Sequence, residues 1–228
     1  MNKYGIDQDA LIKQFTDATA KQGEALRKVV TETTLKALQG RELTLTNIRQ
    51  VLNTVAGAAS TGAAGSGLVG PDLKALLDKA VAGMDAALVQ AVQANRRALQ
   101  QMLDQGADLR EAQVKKAMAD VEKMEDALFA AMRKAAGASG AALQGPWAEV
   151  LKATQGSGTG TGAQASATIE QLMDGAQKSL RDGRALGLRA SQAMLDSYAT
   201  LVSGVLIGMS DAWEKGVAAP GRAPSRNK

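Results

Sequence analysis

The chain contains no cysteine and no histidine in 228 residues. These absences exclude disulfide staples, thiolate nucleophiles and the common zinc sites, and remove the one side chain that titrates near neutrality without being perturbed. Aromatic residues make up only 3% of the chain (Tyr4, Phe15, Phe129, Trp147, Tyr198 and Trp213), which leaves little material for base-stacking platforms. No window approaches the ~18 apolar residues of a membrane span. The opening Met1-Asn-Lys-Tyr-Gly-Ile-Asp7 lacks the apolar core of a signal peptide. A soluble, cytoplasmic protein without transmembrane insertion is expected. An excess of one charge is missing too: 27 basic residues face 23 acidic ones. Only the stretch Gly216 to Lys228 is one-sided, with Arg222, Arg226 and Lys228 among Pro220, Gly221 and Pro224. It reads as a disordered basic tail with weak attraction to polyanions.

What the chain does have is helix-forming residues in helical register. Ala, Leu, Val and nine Met carry the apolar content, and Ala, Leu, Met, Gln and Lys lose little rotamer freedom in a helix. Asp7 can cap a first helix, with Ile6 and Leu11 placed for a hydrophobic staple. That helix is expected to continue to Gly40, with Glu24–Lys28 and Glu32–Lys36 pairs on its outer face. A shorter helix follows from Thr44 through Ile48, Val51, Leu52 and Val55.

Between Pro71 and Pro146 there is no proline. The stripe Leu73, Leu77, Val81, Met84, Leu88, Ala91, Asn95, Leu99, Met102, Gly106 and Leu109 resumes as Val114, Met118, Val121, Glu125, Leu128, Met132 and Ala135 in a nearly seven-residue repeat. At about 1.5 Å per residue, one helix here would reach on the order of 100 Å. Asp104-Gln-Gly-Ala-Asp108 is the place where it could instead fold into a hairpin, and the pattern allows either. Asn95, Gly106 and Glu125 interrupt the stripe, which favours packing within a bundle.

Two segments, Gly57 to Gly70 and Gly156 to Gly162, read as flexible linkers by composition. The fold class is therefore all-α: an elongated antiparallel helical bundle of long amphipathic helices and Gly-rich linkers. Its parts are an N-terminal helical hairpin (1–56), a linker (57–70), a central long helix or hairpin (71–155), a second linker (156–164), a C-terminal long helix (165–216) and the basic tail (217–228).

Candidate chemistry is sparse. Gly65-Ser-Gly-Leu-Val-Gly70 matches the dinucleotide pattern, but that pattern works only between a strand and a helix, and no strand signal precedes it. The carboxylates Asp120, Glu122, Glu125 and Asp126 lie among Lys115, Lys116 and Lys123, an ion-paired wet face, and without histidine they lack the usual partners of a di-metal site. Arg96-Arg97, Lys115-Lys116 and Arg133-Lys134 sit in a neutral background, so specific nucleic-acid binding is not expected and nonspecific association would be weak. Met84, Met102, Met118, Met124 and Met132 read as adaptable core filling ahead of a binding stripe. No catalytic residue, cofactor or metal ligand is assigned.

The final helix carries the most apolar stretch. Gly183-x-x-x-Gly187 and Gly204-x-x-x-Gly208 place small residues on one face. One reading is close packing in a bundle. The other is that Leu201, Val202, Val205, Leu206, Ile207 and Met209, flanked by amphipathic Tyr198 and Trp213, settle on an apolar or interfacial surface.

The cysteine-free, aromatic-poor helices, the opening helix Ala10-Leu-Ile-Lys-Gln-Phe-Thr-Asp-Ala-Thr-Ala-Lys-Gln-Gly-Glu-Ala-Leu-Arg27 and the basic Pro-containing tail together resemble the phasins. These are small helical proteins that coat polyhydroxyalkanoate granules in bacteria. The resemblance covers most of the chain. It implies a non-catalytic protein that spreads its amphipathic helices on a storage granule or lipid-like surface, with the Gly linkers as hinges. The alternative is a scaffold or regulatory bundle that uses the same stripes to form a homo-oligomer or to hold a protein partner.

Overall fold

The computed structural model describes residues 2–3, 6–17, 23–40, 43–104, 111–182, 202–207 and 209; side chains are described in all of these except 2–3, 102–104, 111–118 and 172–182. Among the described residues there are seven helices and a further helical piece at 202–207, preceded by a two-residue antiparallel pairing of β1 (Asn2–Lys3) with β2 (Ile6–Asp7). The fold is all-α, a bundle of helices packed side by side.

Helix α1 (Gln8–Asp17) starts as its sequence dictates. The Asp7 carboxylate accepts the Ala10 N–H at 3.1 Å, and Ile6 and Leu11 are both buried on either side of the cap. The single helix expected up to Gly40 is two: α1 packs on α3 (Leu45–Gly65), while α2 (Gly23–Gln39) packs on α4 (Gly70–Asp104). Glu24 also departs from its expected partner Lys28. It meets Arg27 on its own helix and Lys79 of α4, and Lys79 first, then Arg27, hold its carboxyl below the ordinary value. Lys28 faces Glu32 instead, at 3.8 Å.

The first Gly-rich linker is largely a helix. Thr44 caps α3 by accepting the Asn47 N–H at 3.2 Å, and the helix runs on to Gly65, so only residues 66–69 lie between α3 and α4. The reason is that Ala56, Ala58, Ala59 and Ala63 prolong the buried face begun by Ile48, Val51, Leu52 and Val55. Gly62 is where α1 crosses: a Cβ there would lie 2.6 Å from the Ile12 carbonyl oxygen. Gly83 does the same for α2 on α4, where a Cβ would come 2.8 Å from the Arg27 carbonyl.

The central segment is two helices, α4 and α5 (Glu111–Ala138), in contact with each other, with residues 105–110 outside the described residues. Helix α4 has 35 residues, about 52 Å of rise. The repeat read from the sequence is its buried face: Leu73, Leu77, Val81, Met84, Leu88, Ala91, Asn95 and Leu99 are all buried. On α5, Val121, Leu128, Met132 and Ala135 are buried as the stripe requires. Met84, Met124 and Met132 fill the core, while the Met102 and Met118 side chains lie outside the description.

Helix α6 (Ala141–Ser157) contains Pro146 and buries Leu143, Trp147 and Val150, with the Trp147 indole donating to Ser60 Oγ of α3 at 3.0 Å. Helix α7 (Gly160–Asp182) begins five residues before the expected 165, so the second linker shrinks to Gly158 and Thr159. Of the remainder of the expected C-terminal helix, 202–207 and 209 are helical; residues 183–201, 208 and 210–216, and the basic tail 217–228, lie outside the described residues.

Hydrogen-bonded contacts advance in the same direction along α2 and α4 (Glu24 with Lys79, Thr31 with the Gly83 carbonyl) and along α4 and α7 (Thr161 with Asp85, Gln171 with Arg96). Alternate legs run parallel in this way when consecutive legs reverse, with α6 and α7 forming one leg. Among the described residues no helix is long and apolar enough to cross a membrane.

Candidate functional site

The surface segment expected at the end of the chain is only partly on the surface. Val202 and Leu206 are 1% and 0% exposed and belong to the core, and Val205 and Met209 are packed against it. Helical spacing explains this: positions 202, 205, 206 and 209 share one face, and that face is turned to the bundle. Ile207 points the other way and is 41% exposed; among the described residues only Val69, at 77%, is a comparably exposed large hydrophobic side chain. Tyr198, Leu201 and Trp213 lie outside the described residues, as do Gly183, Gly187 and Gly208. Gly204 is exposed, and among the described residues a Cβ on it would meet nothing within 4 Å.

The other motifs resolve into structure. Gly65 to Gly70 joins two helices rather than a strand and a helix: Ser66 turns the chain by bonding back to the Ala63 carbonyl, and Gly67 and Gly70 adopt positive φ (71° and 56°). No group of three or more Asp or Glu among the described residues is arranged to hold a metal ion. Arg96 is tied to Gln171 of α7 at 2.6 Å, whereas Arg133 and Lys134 are exposed.

Sequence reasoning missed the polar cluster where α6 meets α7. Gly158 ends α6 with φ 74° and ψ 176°, and Thr159 caps the next helix: its hydroxyl accepts the Gly162 N–H at 2.8 Å and donates to Glu125 Oε1 of α5 at 2.5 Å. Asp85 of α4 takes the rest. Its Oδ2 accepts the Gly160 N–H at 2.8 Å, and its Oδ1 accepts both the Thr161 N–H at 2.8 Å and the Thr161 hydroxyl at 2.6 Å. The free amides of a helix N-terminus form a ready anion site, and here the anion is the protein's own carboxylate. A Cβ on Gly160 would lie 3.0 Å from Asp85, and one on Gly162 would fall within 2.7 Å of the Glu125 carboxylate, so a side chain at either position would push the clasping carboxylates aside. The cap is legible in hindsight as a Thr just ahead of a helical run. Asp85 carried no signal, because nothing local announces that a distant helix will end against it.

Beyond the clasp the α4–α7 contact stays polar through the described side chains. Gln93 meets Gln164 at 3.4 Å and Arg96 meets Gln171. Thr168 is fully buried with no hydrogen-bond partner for its hydroxyl, and from residues 159–171 Ala165 is the buried apolar side chain. Two shallow open grooves, about 320 and 410 Å³, run between α3 and α5 and share Gly57, Ala135 and Ala138. Their walls are small or polar apart from Leu143.

The chain belongs to a family of unknown function, DUF6781, whose profile matches residues 1–215. No curated protein and no solved structure matches it.

Proposed function

We propose that this chain is a non-catalytic amphipathic helical protein that binds or coats a hydrophobic surface, a storage granule or similar lipid-like body in the cytoplasm, by exchanging contacts inside its bundle for contacts with that surface. The observation that carries the reading is the two-sidedness of the helices. Helices α3, α4 and α5 each keep a continuous apolar face inside and a more polar face outside, and the 202–209 piece turns Val202, Val205, Leu206 and Met209 toward the core, leaving only Val69 and Ile207 as large exposed hydrophobics among the described residues. Apolar area gains about 25 cal/mol per Å² on leaving water, whether it meets another helix or a granule. Opening therefore loses little where such a surface is at hand and is unfavourable where none is.

In this reading Val202, Val205, Leu206 and Met209 act only after their face is uncovered, and Ile207 makes the first contact. The experiment is to titrate the full chain with hydrophobic polymer particles and lipid vesicles and follow sedimentation together with the fluorescence of Trp147 in a Trp213→Phe background. The Trp147 ring is fully buried. The expected outcome is co-sedimentation with a change in its emission. A chain that stays in the supernatant, with unchanged emission, would sink the surface reading.

The open α3–α5 grooves favour a second reading, a self-associating scaffold or regulatory bundle that holds a helix of another protein. Light scattering without particles separates the two, because a scaffold assembles in their absence.

A further inference from the structure

We propose that Gly158 is a hinge and the Asp85 carboxylate its latch, so that α7 is the element the bundle releases first. The starting point is an inequality between interfaces. Where α1 meets α3 and α2 meets α4, glycine backbones at Gly62 and Gly83 bring the helices so close that a methyl group would overlap a carbonyl. Over the described side chains, α7 instead rests on α4 through hydroxyl, amide and guanidinium groups, whose partners water can replace. An interface that hides little apolar surface opens more readily than one that hides much.

The latch works through burial. Thr161 is 0% exposed, so its N–H and hydroxyl cannot turn to water while α7 stays in place; Asp85 is the partner of both. Without that carboxylate the closed form leaves the buried Thr161 N–H unsatisfied and its hydroxyl with only the longer bond to the Asp85 carbonyl at 3.3 Å, and moving α7 outward is the way to hydrate them. Thr159 would swing with it, because its hydroxyl holds the first turn of α7 and reaches Glu125. Gly158 supplies the pivot, since its φ of 74° with ψ of 176° is open to glycine alone. The fully buried, unpartnered Thr168 hydroxyl, two turns further on, weakens the closed seam in the same sense. Release of α7 is the first step of the opening proposed in the preceding section, and that part of the inference rests on that reading.

The test is amide hydrogen exchange on the full chain, comparing wild type with Asp85→Ala and Thr161→Val. Exchange over residues 160–168 should quicken roughly tenfold in Asp85→Ala and less in Thr161→Val, which keeps the amide bond to Asp85, while α3 exchange stays put. Unchanged exchange at 160–168 overturns the latch, and so does an equal rise in α3. If Asp85→Ala does not fold, the near-isosteric Thr161→Val decides by the same readout. Adsorption to polymer particles, measured on the same variants, separates the two claims. Faster exchange with unaltered adsorption leaves the latch standing and removes the surface function, whereas unaltered exchange removes the latch whatever the particles show.

Discussion

Residues 57–65 and residues 156–162 are both rich in glycine and small polar side chains, yet the bundle treats them in opposite ways. The first stays within one unbroken helix, α3, and lies against α1. The second parts α6 from α7 and is clasped between Asp85 and Glu125. Glycine content alone therefore carries no information about flexibility here; the residues between the glycines do. In α3 these are Ala58, Ala59 and Ala63, which continue a buried helical face and favour helix. In the second segment they include Thr159, whose hydroxyl offers the backbone a cap instead of another turn, and Thr161, whose hydroxyl turns to Asp85.

The contrast breaks most sharply at Gly62. Alanine normally stabilises a helix interior relative to glycine, but the added methyl would meet the Ile12 carbonyl at 2.6 Å, and no rotamer change can move a backbone oxygen. Overpacking outweighs propensity, so Gly62→Ala is expected to lose about 3 kcal/mol, the upper end of the usual range. Calorimetry on the full chain reads this as a lowered unfolding temperature. A neutral result would mean that α1 does not lie against α3 as described.

Gly158→Ala probes the other region by a different mechanism. A Cβ there has open space around it, so the penalty comes from the backbone alone, with φ at 74° and ψ at 176°. About 2 kcal/mol is expected. The loss should register as faster exchange at the start of α7 while α3 is spared; a drop shared evenly by both would show that the two segments are not independent.

How far the fold could be read from sequence follows from the same contrast. The α4 stripe from Leu73 to Leu99, the Asp7 cap and the Ile6–Leu11 staple were legible because each depends on residues three to five apart. The division of the first helix was not, since α1 and α2 separate according to partners they meet on α3 and α4. The final segment was recognised as apolar, with bundle packing and surface contact both left open, because periodicity identifies a face without saying what covers it. Glu125 stood out as an interruption of the stripe; that it is there to receive Thr159 depends on a contact 34 residues away. Asp85 and Thr161 form a pair 76 residues apart in the chain, and no local pattern encodes such a pairing.

The smallest effect is the one that sharpens the reading of α3. Gly57 sits in the interior of the same helix as Gly62 but on its exposed side, beside the groove facing α5, and a Cβ there would touch nothing within 4 Å. Only propensity is left to act, so Gly57→Ala should stabilise the chain by about 0.5–1 kcal/mol, read as a rise of roughly 1–4 °C in unfolding temperature. Gain at Gly57 together with loss at Gly62 would establish that the segment is a helix selected position by position, with glycine required only where another backbone passes. A loss at Gly57 would mean instead that residues 57–65 leave the helical state often enough for glycine to matter there, and the linker reading of that segment would return.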